Sequence, residues 1–202
     1  MFLGLFLGFF ASEHALAINY AQVRGDLKAW KISAASKRLR GKPKAAKALE
    51  HAILRGRLDL MRSDFDAVIK ALVPKVSAYP KAYEARVVLG RALRALGRNG
   101  DAFRVLDAMA TDYTNDEVST AEELMWLGVG LHLTDYPKNA VTVLEEALQA
   151  RGGGTEAKVR LANLFVSKSK VTRKQSLVKL LFINMNRPTG RQTEKQIHID
   201  TD

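Results

Sequence analysis

The 202-residue sequence predicts an all-α solenoid, a stack of antiparallel helical hairpins. Three observations support this prediction. Alanine and leucine are abundant and there are only 5 prolines, a composition that favours helices over strands. Small residues recur at intervals close to 34, the length of one helical hairpin with its turns. Signals for the start of a helix, such as Asp64 and Pro137, fall between the repeated positions.

Residues 1–17 are expected to be a secretory signal peptide and not part of this solenoid. The segment opens with about ten apolar residues, whereas a membrane-spanning helix needs roughly 20. Residues 15–17, Ala-Leu-Ala, form a small-x-small cleavage site. We therefore expect cleavage after Ala17 and export to the periplasm or cell envelope of a bacterium. No Lys or Arg precedes the apolar run, so a buried N-terminal helix and an uncleaved anchor remain alternatives.

Residues 18–48 are expected to form a basic helix and linker, because they hold nine Lys and Arg against one Asp. Gly41 and Pro43 break the densest run, SKRLRGKPKAAK at 36–47, so the linker should be flexible. Such a run binds phosphate groups or anionic lipid through its charge. Only Tyr20 and Trp30 are available to stack on bases, which weakens the case for nucleic acid. A solvated linker without a ligand is the alternative.

Residues 49–188 contain the repeated positions. Four small residues are separated by 34, 38 and 34 positions, and alanine recurs twelve positions after the second and third of them. Two helices approach closely only where side chains are small, so these positions should pack the hairpins together. A leucine or valine sixteen positions after each small residue should fill the neighbouring space. The predicted packing residues are Gly56, Gly90, Ala102, Gly128, Ala140 and Ala162.

The pattern resembles the tetratricopeptide repeat family over about 49–188. LGRALRALGRNGDAF at 89–103 and LGVGLHLTDYPKNAVTVLEEAL at 127–148 carry the resemblance most clearly. The resemblance implies a right-handed superhelical solenoid of about four repeats. Residues 189–202 are then expected to be a C-terminal helix or a truncated next repeat. This end offers little polar surface to cap an array, so a longer protein of which this chain is the N-terminal part is also an open interpretation.

The resemblance further implies that the first helix of each hairpin lines a concave groove that holds a protein or peptide. Counted from the small residues, the inward positions form an apolar strip with a cationic patch, which suits acidic and apolar groups of a partner. Family members that grip a terminal carboxylate carry Lys three positions before the small residue. Here that position is apolar in all four units, which disfavours such a clamp. The expected groove residues are Arg57, Leu60, Arg91, Arg94, Met125, Val129, His132 and Asn163.

No constellation of catalytic residues is found in the sequence. The chain has no cysteine, and its four histidines lie far apart without a metal-binding spacing. Adjacent glutamates point in different directions on a helix, so they do not converge as an acid and a base. We therefore expect a scaffold or adaptor that is not an enzyme and that uses no cofactor or metal. The alternatives are electrostatic binding of a membrane surface or nucleic acid through 18–48, and an activity located downstream in a longer protein.

Overall fold

The computed structural model describes residues 17–115, 118, 120–134, 136–151 and 154–168. This part of the chain contains nine α-helices, a short 3-10 helix at Ala45–Lys47 and no strand, which confirms the predicted all-α solenoid. The second helix of the expected fourth hairpin, residues 189–202 and nearly all of the expected signal peptide lie outside the described residues. The helices are α1 (Tyr20–Lys28), α2 (Ile32–Arg38), α3 (Ala48–Met61), α4 (Phe65–Ala78), α5 (Tyr83–Ala95), α6 (Asn99–Thr114), α7 (Ala121–Leu133), α8 (Pro137–Gln149) and α9 (Thr155–Lys168).

Local sequence signals set the helix ends. The carboxylate of Asp64 accepts a hydrogen bond from a backbone N–H in the first turn of α4, at 3.3 Å. Thr120 and Glu123 form a reciprocal capping box at the start of α7. Pro137 is the first residue of α8, where its missing N–H costs no helical hydrogen bond. Gly97 has a φ of 73° just after α5, a left-handed conformation that ends the helix.

Three complete hairpins, α3–α4, α5–α6 and α7–α8, stack in chain order, and α9 continues the stack. The first helix of each hairpin contacts the first helix of the next, through α3–α5, α5–α7 and α7–α9. The second helix of each hairpin also contacts the next first helix, through α4–α5, α6–α7 and α8–α9. Each hairpin therefore buries its apolar face against its neighbours along the chain, as expected of a repeat array.

The hairpins pack most closely at the glycines of the first helices. A Cβ atom at Gly56, Gly90 or Gly128 would lie 3.0, 2.9 or 2.6 Å from a side-chain atom of a leucine on the second helix. A side chain at any of these positions would therefore require the facing leucine or the helices themselves to shift. The leucines lie sixteen residues after the glycines and are Leu72, Leu106 and Leu144. Among the alanines expected in the same role, Ala102 and Ala140 are buried and Ala162 is half-buried.

The basic N-terminal segment folds as a further hairpin. The sequence predicts one helix and a linker here, but a second helix, α2, lies in this segment and extends into the start of the dense basic run at 36–47. Ile32 and Ala35 of α2, and Leu39 directly after it, follow a helical spacing and pack toward α3, which outweighs the charges around them. Gly41 and Pro43 lie between α2 and the 3-10 helix. The buried residues that join α1 and α2 to α3 are Val23, Leu27, Ala35, Leu39, Leu54 and Leu58.

Candidate partner-binding groove

A glutamate lies in the first turn of each of the helices α3, α5, α7 and α9. These glutamates are 34, 38 and 34 residues apart, the same intervals that separate the small packing residues. Negative charge is favourable at this end of a helix because the backbone N–H groups there are unpaired. The stack thus places four carboxylates at equivalent positions: Glu50, Glu84, Glu122 and Glu156.

Glu84 joins the N-terminal hairpin to the next two hairpins. It is only 6% exposed. Its carboxylate accepts hydrogen bonds from Arg57 at 2.9 Å and from Nη1 of Arg24 at 3.0 and 3.1 Å. Burial works against the charge of Arg24, but the charge and hydrogen bonds of Glu84 outweigh it and raise the pKa of Arg24. Both arginines are therefore paired with Glu84.

Glu156 links the first described helix to the last one. Its carboxylate lies 2.7 Å from Nζ of Lys28 on α1 and 2.7 Å from Nη2 of Arg160 on α9. Burial alone would raise the pKa of Glu156, but the hydrogen bond from Lys28 and the two positive charges lower it overall. Lys28 and Glu156 thus face each other across the surface that the first helices share.

A cavity of about 440 Å³, the wide cavity, opens on this surface between α1, α3, α7 and α9. Its charged residues are three of the four glutamates and three cations, and most of its apolar wall comes from α7. The indole Nε1 of Trp126 is buried there without a hydrogen-bond partner among the described residues. The wide cavity is lined by Arg24, Lys28, Glu50, Arg57, Ala121, Glu122, Met125, Trp126, Gly154, Glu156 and Ala157.

A second cavity of about 250 Å³, the arginine pocket, lies further along the same surface. The guanidinium group of Arg160 lies 5.7 Å from the centre of the Trp126 ring, so this cation–π pair stands between the two cavities. The arginine pocket has two cationic side chains, a polar rim and an apolar wall. It is lined by Arg91, Gly128, Val129, His132, Leu144, Arg160 and Asn163.

The two arginines of this pocket are incompletely paired. Arg91 is half-buried, and no carboxylate in the described part of the chain lies within ion-pair distance of it. Burial first, and then the positive charges of Arg160 and Arg57, lower the pKa of Arg91. Arg160 uses Nη2 to bind Glu156, while its Nε is buried with no acceptor among the described residues. The pocket is therefore lined by two guanidinium groups, of which Arg91 has no carboxylate partner among the described residues.

Six of the eight expected groove residues line these two cavities. The arginine pocket brings together Arg91, Val129, His132 and Asn163, which come from three successive first helices. The wide cavity contains the other two, Arg57 and Met125. These six expected residues therefore share one continuous surface.

The remaining two expected groove residues lie elsewhere. Leu60 is half-buried and packs against the core between the first two complete hairpins. Arg94 is exposed and donates a hydrogen bond to the carbonyl of Leu133, at the C-terminal end of α7, where a positive charge is favourable. It lines a separate cavity with Phe103 and Thr134.

Several residues of this surface were not predicted from the sequence. Arg160 lies two positions before Ala162, outside the inward positions counted above, and Arg24 and Lys28 precede the recognised repeats. The series of glutamates carried a usable signal, since its intervals equal those of the small residues. The recurrence of a charged residue at the repeat interval would have indicated these glutamates.

The described residues contain no group of three or more His, Cys, Asp or Glu side chains placed to hold a metal ion. None of the helices described is both long enough and apolar enough to cross a membrane.

No protein-family model and no curated protein matches the chain. Solved structures, however, match the fold of the chain. The TPR protein TTC0263 of Thermus thermophilus superimposes with a TM-score of 0.58 at 16% sequence identity, over 85% of this chain and 91% of the other. MamA from Desulfovibrio magneticus superimposes with a TM-score of 0.43 at 15% identity, over 82% of this chain and 93% of the other. The likeness to TTC0263 shows that the fold is a tetratricopeptide-like helical solenoid.

Proposed function

We propose that this chain is a non-enzymatic scaffold that binds a protein or peptide along the surface of its first helices. The surface from α3 to α9 contains two adjoining cavities of about 440 and 250 Å³. The observation that carries the proposal is that the two cavities adjoin on one surface, where the half-buried Arg91 lines one of them and has no carboxylate partner among the described residues. A partly buried charge is normally paired, so a partner that supplies acceptors would bind here favourably.

The two cavities lie side by side, which favours an extended ligand over a small compact one. Their walls combine buried apolar groups, such as Met125 and Val129, with charged groups at the edges. Peptide-binding surfaces use this combination, since apolar contacts supply affinity and polar groups set register.

The experiment that tests this proposal is site-specific photo-crosslinking in cells. A photoreactive amino acid replaces Asn163, which is exposed at the rim of the arginine pocket. The matched control replaces Thr142, which is exposed on the second helix α8. We expect a discrete protein adduct from position 163 and none from 142. Adducts that form equally at both positions, or only at 142, would contradict a groove on the first helices.

We further propose that the protein works in the bacterial cell envelope. The support is the apolar run and the Ala-Leu-Ala site in 1–17. Fractionation of cells that express the full chain, followed by N-terminal sequencing, tests this. We expect an envelope protein whose mature chain begins at Ile18, and an intact chain in the cytoplasm would refute it.

A second candidate function is electrostatic binding to an anionic membrane surface through 18–48. The specific observation in its favour is that five cations of this segment are exposed and have no ion pair within the described region. Binding of this kind falls steeply with salt. Sedimentation with phosphatidylserine vesicles at low and high salt tests it, and binding that is indifferent to salt would exclude it. The five cations are Lys31, Lys37, Arg40, Lys42 and Lys44.

A further inference from the structure

We propose that the arginine pocket binds the side-chain carboxylate of an aspartate or glutamate in the partner peptide. This inference rests on the proposed function, and it adds the chemistry of the residue that the scaffold selects. It assigns Arg91 and Arg160 as the groups that bind the carboxylate and Asn163 as a polar group at the rim.

The first argument is charge. Arg91 and Arg160 are near enough for the charge of one to lower the pKa of the other, yet they line the same cavity. The carboxylate that binds Arg160, Glu156, lines the wide cavity and does not line the arginine pocket. A carboxylate from outside would relieve the repulsion between the two guanidinium groups and accept hydrogen bonds from both.

The second argument is the unpaired guanidinium group. Arg91 has no hydrogen-bond acceptor among the residues described, whereas Arg160 is paired through Nη2 with Glu156. A guanidinium group binds a carboxylate best through two parallel donors, and Arg91 has its donors available for this.

The third argument is shape. The pocket volume of about 250 Å³ lies below the roughly 300–1,000 Å³ of sites for drug-sized ligands. Val129 and Leu144 give it an apolar wall beside Gly128. An acidic side chain fits both features, because its methylene groups contact the wall while its carboxylate reaches the arginines. A phosphate group has no apolar stem and would leave the wall uncovered.

The wide cavity is a poorer site for the partner's carboxylate than the arginine pocket. In the wide cavity the cations Arg24, Arg57 and Lys28 are paired with glutamates of the same chain. An incoming carboxylate would have to displace Glu84 or Glu156 there. The proposal therefore predicts one acidic position in the peptide, next to a segment that contacts the Trp126 side of the surface.

The experiment is a selection of random twelve-residue peptides, displayed on phage, against the full-length protein. We expect the selected peptides to share one Asp or Glu flanked by apolar residues. A selected peptide is then synthesised with Glu or with Gln at that position. The Glu peptide should bind about 10- to 100-fold more tightly, the range for a charge-assisted hydrogen bond in place of a neutral one.

Two protein variants locate the effect. Asn163→Asp places a carboxylate at the rim of the pocket, next to the two arginines, and should remove the preference for Glu over Gln. Thr142→Asp makes the same change of charge on the exposed face of α8 and should leave the preference intact. Both positions are exposed, so both variants should fold, and circular dichroism checks that they do.

The outcomes separate this inference from the proposed function. If peptides are selected but bind equally with Glu and Gln, the carboxylate site is refuted and the groove stands. If no peptide is selected, both proposals fail. If inorganic phosphate displaces the Glu peptide and acetate at the same concentration does not, the pocket is a phosphate site and this inference is overturned.

Discussion

Arg57 and Arg91 occupy the same position in successive hairpins, each one residue after the glycine of its first helix. Arg57 donates a hydrogen bond to the buried Glu84 of the following hairpin at 2.9 Å. Arg91 has no corresponding carboxylate in the described structure and faces a cavity beside Arg160. One repeat position therefore contributes to the assembly of the stack in the first hairpin and is open to a ligand in the second.

The position of the next glutamate distinguishes the two cases. Glu84 follows Arg57 by 27 residues and is buried. Glu122, its counterpart in the third hairpin, comes 38 residues after Glu84 instead of 34 and is exposed. It lines the wide cavity, and its charge acts on Arg24. The additional residues before α7 thus coincide with the absence, at Arg91, of the kind of pairing that Arg57 makes with Glu84.

The largest effect should come from Glu84→Ala. This change leaves Arg24 and Arg57 without their carboxylate in a site where Glu84 is 6% exposed. Breaking a buried pair costs roughly 3–5 kcal/mol, and the partial exposure of the arginines lowers our expectation to about 2–4 kcal/mol. Urea unfolding of the full chain measures the free energy. The control, Glu122→Ala, should change it by no more than about 0.5 kcal/mol, and equal losses would mean that the two glutamates are equivalent.

The next largest effect is the difference in stability between alanine substitutions at the glycines of two hairpins. In Gly128→Ala the new methyl group would lie 2.6 Å from Cγ of Leu144, whereas in Gly56→Ala it would lie 3.0 Å from a terminal methyl of Leu72. A branch point cannot move aside as easily as a methyl group. We expect Gly128→Ala to be less stable than Gly56→Ala by about 1–2 kcal/mol. Thermal unfolding compares them, and a reversed order would show that the hairpins differ in backbone freedom more than in packing.

The positions of the hairpins were predictable because they follow from intervals along the chain. Gly56, Gly90 and Gly128 mark the close contacts, and six of the eight residues expected in the groove line two adjoining cavities. α2 was missed because the breakers Gly41 and Pro43 and the dense charge concealed an apolar stripe of only three residues.

The ion pairs across the surface were not predictable from intervals. Arg24 and Glu84 are 60 residues apart, and Lys28 and Glu156 join the first and last helices described. Such contacts depend on how far the stack curves, which is the sum of small rotations between hairpins. Arg160 was missed for the same reason, because its place over Trp126 depends on how α9 packs against α7.

A third test replaces Arg57 or Arg91, one at a time, by methionine, which is apolar and of similar length. Arg57→Met removes a partner of the buried Glu84 and should destabilise the protein by about 1–2 kcal/mol. Arg91→Met removes a half-buried charge that other arginines repel, so its effect should range from none to a gain of about 1 kcal/mol. Urea unfolding of both variants gives the difference. An equal loss in the two variants would show that Arg91 is paired in solution as Arg57 is.

The smallest effect on stability should come from Glu156, whose carboxylate binds Arg160 and lines the wide cavity. Its pKa is lowered from the ordinary 4.5, because Lys28 and Arg160 outweigh the effect of burial. A carboxyl group with a lowered pKa in the folded state stabilises the protein above its ordinary pKa, and this contribution is lost as the pH falls through the lowered value. Glu156→Gln should therefore be less stable than the wild type at pH 6, by under about 1 kcal/mol since the pair is partly exposed.

The difference should shrink as the pH falls below 4.5 and should also shrink in high salt. A difference that stays constant down to pH 3 would mean that Glu156 acts through packing and not through its charge, and that Arg160 does not depend on it for neutralisation.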